Sequence, residues 1–411
     1  MATLVTRCLL SPFGAVAFSR RVTSLPQLRG FASATADAVP LKHTALYPWH
    51  VQNGGKMVEF CGYSMPVQYP DGILTSHLHC RSKASVFDVS HMGQLELHGK
   101  DRIEFLEKLI VGDIKNLAEG NTRLSVFTNE TGGVLDDMMA TNAGDHLYLV
   151  VNAGCKDADI AHMQKHIADF KAAGKDISMT ILEDKSLLAL QGPYAATTLS
   201  KHVKEDLTKQ SFMQSRKMLV AGVPAIVTRC GYTGEDGFEI SIPDNKVVEV
   251  LETLLADPDV KPAGLGARDS LRLEAGLCLY GHELNPTITP IEADLAWLIN
   301  KRRRQEGGFL GDKVILEQLQ KGPSKKRVGL YVQGAPAREH TDIVDEKGSR
   351  IGEVTSGGFS PSLKKAIGQA YVPTPLAAPG TKVTVVVRGK AQEATVAKLP
   401  LVPTSFYKAP K

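Results

Sequence analysis

The chain has 411 residues, with 48 Lys plus Arg against 44 Asp plus Glu and six cysteines, a length too great for one hydrophobic core and suited to two or three domains. No apolar run reaches membrane-spanning length, and Cys8, Cys61, Cys80, Cys155, Cys230 and Cys278 show no C-x-x-C spacing, which argues for reduced core thiols over a metal or disulfide framework. Four arginines and no acid fall within residues 1–31, so the remainder balances at 44 to 44 and gives no support for nucleic-acid binding.

Residues 1–36 hold Arg7, Arg20, Arg21 and Arg29, are rich in Ala, Ser, Leu and Val, and precede the first acid, Asp37. This is the composition of a mitochondrial transit peptide, with a chloroplast one as the alternative. Arg20 and Arg21 break the apolar run where a secretory signal would continue it, and the cleavage expectation falls after Arg29-Gly30-Phe31. From His43, short strands and turns dominate. The pattern predicts a helix over 76–84, a buried strand over 86–90 and an amphipathic helix over 101–109. His77, His79 and His91, with Cys80, are spread over two elements at no recognisable ligand spacing, so no metal is expected there.

The stretch VFTNETGGVLDDMMATNAGDHLYLVVN places two adjacent carboxylates, Asp136 and Asp137, in an otherwise apolar strand over 134–141, between polar turns. Strand alternation puts Leu135, Asp137 and Met139 on one face and Asp136 with Met138 and Ala140 on the other. A carboxylate so placed needs hydrogen bonds or a cation, because unpaired burial costs several kcal/mol. Asp136 is expected to anchor the turn. Both a structural ion pair and a functional acid are open at this point.

A helix follows over 157–172, then a strand over 187–190, a helix over 194–202 and a strand over 225–229 that enters GYTGEDG. Strand, glycine-bearing turn, strand and helix recur after Thr128 and after Thr228, which reads as a duplicated α+β unit. Gly231, Gly234 and Gly237 permit positive φ and close approach to a ligand, yet a strand over 238–242 follows where a phosphate loop would have a helix. On that strand Glu239 opposes Phe238 and Ile240. Arg268 lies in the first turn of the next helix, which the helix dipole disfavours, so an anion or a carboxylate is expected near it. The segment 301–321 connects to a tail whose short alternating strands predict a small β-barrel over 326–407.

Together GGKMVEFCGYSMPVQY, FDVSHMG, FTNETGGVLDDMMATN, LALQGP, TRCGYTGEDGFEIS, ARDSLRLEAGLCLYG, KRRR and VTSGGFSPSLKKAIGQAYVP resemble, in order over residues 42–407, the aminomethyltransferase (T-protein) family of the glycine cleavage system. The resemblance implies an α+β multidomain fold: duplicated ferredoxin-like units over 42–300, a connecting segment over 301–325 and a C-terminal barrel, three domains in a cloverleaf around a central folate cavity. It implies transfer of the methylene carbon of an aminomethyl group, carried on the lipoyl arm of H-protein, to tetrahydrofolate. The products are 5,10-methylenetetrahydrofolate, ammonia and dihydrolipoyl H-protein, with the P- and L-proteins as indirect partners and the mitochondrial matrix as the compartment. By position, the family's essential acid falls on Asp137, and folate contacts fall on Tyr148, Asn152, Glu239, Arg268, Met92 and Phe406. Phe406-Tyr407 stands where relatives often carry Tyr-Tyr, which puts a hydroxyl contact at 406 in doubt. A non-enzymatic folate-binding protein of iron–sulfur assembly is the alternative, but EAGLCLYGHEL around Cys278 lacks that group's K-G-C-Y/F-x-G-Q-E signature.

Overall fold

A computed structural model describes residues 40–410, so the transit-peptide expectation lies outside the described residues. Two large open sheets, a two-stranded sheet of Lys56–Phe60 and Tyr63–Gln68, and one closed barrel form the frame. The first sheet runs in the order Thr122–Thr128, Val134–Asn142, Leu147–Val151, Gly93–His98, Ser178–Ile181, with helices Arg102–Leu109 and Lys156–Ala172 in its crossovers. The second runs Ser215–Val220, Val223–Thr228, Gly237–Pro243, Lys185–Gln191, Ala84–Asp88, Val260–Pro262, with helices Ala195–Leu199 and Val247–Leu255. Without Ala84–Asp88, which is inserted from earlier in the chain, both units read strand, helix, three strands, helix, strand, in the same spatial order.

The duplication is therefore real, but its register differs from the sequence expectation. Thr122, Thr141 and Tyr148 are cross-strand neighbours in the first sheet, and Ser215, Thr228 and Glu239 are neighbours in the second. Both rows carry a hydroxyl pair: Thr122 Oγ1 to Thr141 Oγ1 at 2.8 Å, and Thr228 Oγ1 to Ser215 Oγ at 3.0 Å. Thr228 thus corresponds to Thr141, one strand later than Thr128. The sequence pattern misplaced it because the Arg216 and Lys217 charges hide the strand Ser215–Val220.

Helix Lys156–Ala172 buries Met163, Ile167 and Phe170, at helical spacing, against the first sheet. In the second unit Phe238, Ile240 and Ile242 go to the core, where Val250, Leu251 and Leu254 of the Val247–Leu255 helix meet them. The turn before Val134 is held by Asn129, whose Oδ1 accepts from Thr131 N, Thr131 Oγ1 and Gly133 N. A Cβ on Gly133 would lie 1.8 Å from the Pro286 carbonyl oxygen.

The barrel closes Lys325–Val332 onto Lys390–Ala397 through six strands. Five were legible in sequence; Thr341–Val344 is four residues long and charged at its edge. The connecting segment is two helices, Lys301–Glu306 and Asp312–Lys321. Its basic start is a clamp on the first unit rather than a solvated face. Arg302 pairs with Glu107 and, at 2.6 Å, with Asp113, while buried Arg303 donates to the carbonyl oxygens of Gly307 and Ile110.

Candidate active site between the two sheets

The faces turned away from the two cores meet each other. Thr122, Met139, Thr141, Tyr148 and Val150 from the first sheet, and Leu187, Ile226, Thr228, Cys230 and Glu239 from the second, line a narrow cavity. Tyr148 and Glu239 are the duplicated positions, so one repeat supplies an aromatic ring and the other a carboxylate. The Tyr148 hydroxyl donates to Gln94 Oε1 at 2.8 Å, and Ser241 Oγ donates to the same atom at 2.5 Å. With its hydroxyl engaged, Tyr148 offers the cavity its ring.

Glu239 stands beside the Cys230 thiol, and burial raises its carboxyl above the usual range while Arg268 opposes that rise. Arg268, fourth residue of the helix Leu265–Glu274, sets its guanidinium 4.7 Å above the Tyr232 ring, and its Nη1 is buried without a partner among the described residues. It lines a second, narrow hollow with Met65, Phe87 and Asp88. The expectation that Arg268 answers a carboxylate is met electrostatically by Glu239 and leaves a donor over for a ligand.

Asn152 joins the acidic pair. Its Nδ2 donates to Asp137 Oδ1, to the Asp137 carbonyl and to Asp136 Oδ1, each at 3.0 Å, and its backbone N donates to Asp136 Oδ2 at 3.0 Å. Burial first and the Asp136 charge second push the Asp137 carboxyl up to about 7. Asp136 is fully buried on the core face. It does not anchor the turn, which Asn129 holds; it faces Asp159 and Asn152 instead.

The glycines of GYTGEDG also act differently from expectation. Only Gly234 has positive φ, +82°, whereas a Cβ on Gly231 or Gly237 would lie 1.8 or 2.5 Å from the Gln191 side chain. Close approach is to Gln191, whose Nε2 donates to the Cys230 carbonyl and whose Oε1 accepts from Thr233. An Arg229–Asp236 ion pair at 2.5 Å closes the loop. Met92 packs half-buried against the cluster of Phe87, Tyr148 and Val150. Phe406 lines neither hollow: it stacks on Phe212 with centroids 4.1 Å apart and planes within 14°. His77, His79 and His91 do not converge. His77 bonds Ser270, Glu274 and Ser362, His79 reaches the Asp259 carbonyl, and His91 packs on Phe60.

Sequence reading missed Gln94, Cys230 and Tyr232. Gln94 is a buried polar residue in the strand Gly93–His98, the one available signal, while Cys230 and Tyr232 gain meaning only once Glu239 and Arg268 are placed.

The family model for the GCVT N-terminal domain matches residues 46–303, and that for the glycine cleavage T-protein C-terminal barrel domain matches residues 325–403. The chain belongs to the glycine cleavage T-protein family. Curated T-proteins similar to it include the mitochondrial aminomethyltransferase of Dictyostelium discoideum, 56% identical over 379 residues (90% of this chain, 94% of that one), and that of Homo sapiens, 51% identical over 369 residues (89% and 91%). The crystal structure of glycine cleavage system aminomethyltransferase T from Bartonella henselae superposes with a TM-score of 0.84 at 42% identity, covering 90% of this chain and all of that one. T-protein membership accounts for the paired sheets and the barrel in one chain.

Proposed function

We infer that the cavity between the sheets is a tetrahydrofolate site and that Asp137 is the acid on which transfer turns. The protein is an aminomethyltransferase of the glycine cleavage system and works in mitochondria, as its relatives do. The co-substrate and the carrier are the finer part of the reading: tetrahydrofolate accepts the methylene carbon, and lipoylated H-protein delivers it as an aminomethyl group. Residues 1–31 act as the matrix address, 42–300 as the folate-binding region, 301–325 as the connector and 326–407 as the barrel domain.

The residues present suit a pterin. Glu239 stands beside the Cys230 thiol, and its oxygens remain as paired acceptors for a ring amide and amino group. Tyr148 offers a ring face and Arg268 an unpartnered buried donor. The observation that carries the reading is Asp137, held by Asn152 on the cavity-facing side of its strand with its carboxyl lifted to about 7. Above that pH it is an anion in a poorly hydrated setting. It stabilises positive charge as the carbon–sulfur bond to the lipoyl arm breaks and the methylene passes, iminium-like, to the folate nitrogens with release of ammonia. The reading is tested by incubating residues 32–411 with aminomethylated lipoyl H-protein and tetrahydrofolate and measuring ammonia and methylenetetrahydrofolate. Product at the protein-free rate would overturn it.

A further inference from the structure

Behind Asp137 and Asp136 lies a third carboxyl that the reaction as read above does not use. Asp159, in the first turn of the helix Lys156–Ala172, is 2% exposed, and its carboxyl lies against that of Asp136, which is 0% exposed. A continuous path results: Asp159 to Asp136, Asp136 to Asn152, and Asn152 to Asp137. None of the three carboxyls takes part in an ion pair among the described residues. The other titratable groups facing them are Cys155 on the same helix, Tyr280 beyond the Leu265–Glu274 helix, and Tyr232 and Cys278 toward Asp137. Burial raises all four, so they are neutral and bring no positive charge.

Three carboxyls in one buried cluster without a cation cannot all ionise, and at least one proton stays in the cluster well above the usual carboxylate range. The hydrogen bonds decide where. Asp136 accepts on both oxygens, from the backbone N and Nδ2 of Asn152, and Asp137 accepts from the same Nδ2; such contacts favour the ionised form. No donor reaches Asp159, and its Oδ2 is buried without a partner. The helix dipole would favour an ionised Asp159 only weakly, which is small beside repulsion from two neighbouring carboxylates in a buried site. Its carboxyl is raised to about 10, by burial first and by Asp136 next.

We propose that Asp159 is a positioning residue that remains protonated in the working enzyme and donates to Asp136, so that Asp136 can stay an anion, hold Asn152 and present Asp137 as the group that titrates. The inference rests on the reading of Asp137 above as the acid of the reaction. It assigns the extra proton to a residue that touches no substrate, and it explains why an acid sits in the interior of a sheet next to another acid.

Two variants separate donation from mere bulk. Asp159→Asn keeps a donor toward Asp136, so turnover should remain within about threefold of wild type and the acid limb of the kcat profile should stay in place. Asp159→Leu fills the site without a donor. Asp136 and Asp137 must then share one proton, and the acid limb should move up by about one pH unit with at least a tenfold fall in kcat near neutral pH. Infrared difference spectra provide a readout besides activity. In mildly alkaline buffer the wild-type protein should show the carbonyl stretch of one protonated carboxyl that is lost in Asp159→Asn and kept in Asp137→Asn. An Asp159→Asn enzyme that shifts as far as Asp159→Leu, or a wild-type spectrum without that band, overturns the proposal. A fully active Asp137→Asn enzyme that keeps the band would instead remove the role of Asp137 and leave the protonated Asp159 standing.

Discussion

Asp137 is held at a stability cost whose sign follows from its raised carboxyl. The folded value of about 7 lies above the ordinary 3.8, so between those values the folded protein binds the proton and the unfolded chain does not. Stability associated with this group is therefore greatest below the unfolded value, falls as pH rises through the window, and is fully lost above about 7. The shift corresponds to at most ~4 kcal/mol, and the shared proton of the cluster spreads that over its members. Asp137→Asn should consequently melt higher than wild type in mildly alkaline buffer and at a similar temperature in acid, while losing about a hundredfold or more in turnover. A parallel melting and pH–rate series measures both; an unchanged rate would dismiss the acid. On the proposed reading Glu239 acts through binding instead: Glu239→Gln should weaken folate by about 1–3 kcal/mol, the range for a hydrogen bond to a charged group, with little change in melting temperature. Identical titration curves would exclude Glu239 from the site. Strand alternation alone set Glu239 opposite Phe238 and Ile240 and put Asp136 and Asp137 on opposite faces, without deciding which of those two faces meets the core. It could not show Asn152 bridging two acids, which needs the register that pairs Val134–Asn142 with Leu147–Val151, or Asp159 beneath them, which needs the helix Lys156–Ala172 folded back on its sheet.

At the scale of elements, the loop between Val223–Thr228 and Gly237–Pro243 shows how a glycine pattern misleads. Three glycines read as room for a ligand, but two of them make room for Gln191, whose amide ties the loop to the neighbouring strand. Gly231→Ala would set a methyl 1.8 Å from Gln191 Oε1. Gln191 must then turn and release the Cys230 carbonyl, so a loss of about 1–3 kcal/mol is expected, the scale of overpacking. Denaturant midpoints measure it, and pairing the change with Gln191→Ala should recover part of it. A midpoint equal to wild type would mean that the loop is not packed this way. Long periodic elements such as Lys156–Ala172 and Lys382–Val387 were legible to within a residue. The helix Ala195–Leu199 is shorter than its apolar pattern, and Ser215–Val220 and Thr341–Val344 escaped because charges interrupt their alternation. What patterning lacked was pairing: the register of the duplication is written in cross-strand hydroxyls that sit far apart in sequence.

Across the whole molecule, the last residues tie the barrel to the second unit. After the barrel's final strand Lys390–Ala397, Leu401 and Val402 donate to the Glu274 carbonyl, and Ser405 donates to the Gly234 carbonyl at 2.8 Å. Phe212 N then donates to the Tyr407 carbonyl at 2.8 Å, Tyr407 Oη to the Thr208 carbonyl at 3.0 Å, and Ala409 N to Ser211 Oγ at 2.9 Å. Phe406 stacks on Phe212, and the Arg229 guanidinium lies 3.9 Å from the Tyr407 ring centroid. Arg229 also closes the loop carrying Tyr232, which underlies Arg268, so the tail supports the Arg268 side of the site without lining it. Removing residues 404–411 should leave the barrel intact, because its closure ends at Ala397 and Leu401 remains anchored. The losses are one aromatic stack, worth about 0.5–1.5 kcal/mol, one partly buried cation–π contact of about 0.5–2 kcal/mol, and four hydrogen bonds that water can replace. Amide exchange in residues 207–214 and 229–237 should therefore accelerate by about tenfold or more while exchange in the barrel strands is unchanged, and folate affinity should fall with it. Phe406→Tyr should keep the stack and the affinity. Exchange that accelerates in the barrel to the same extent, or nowhere, would show that the tail does not brace the site.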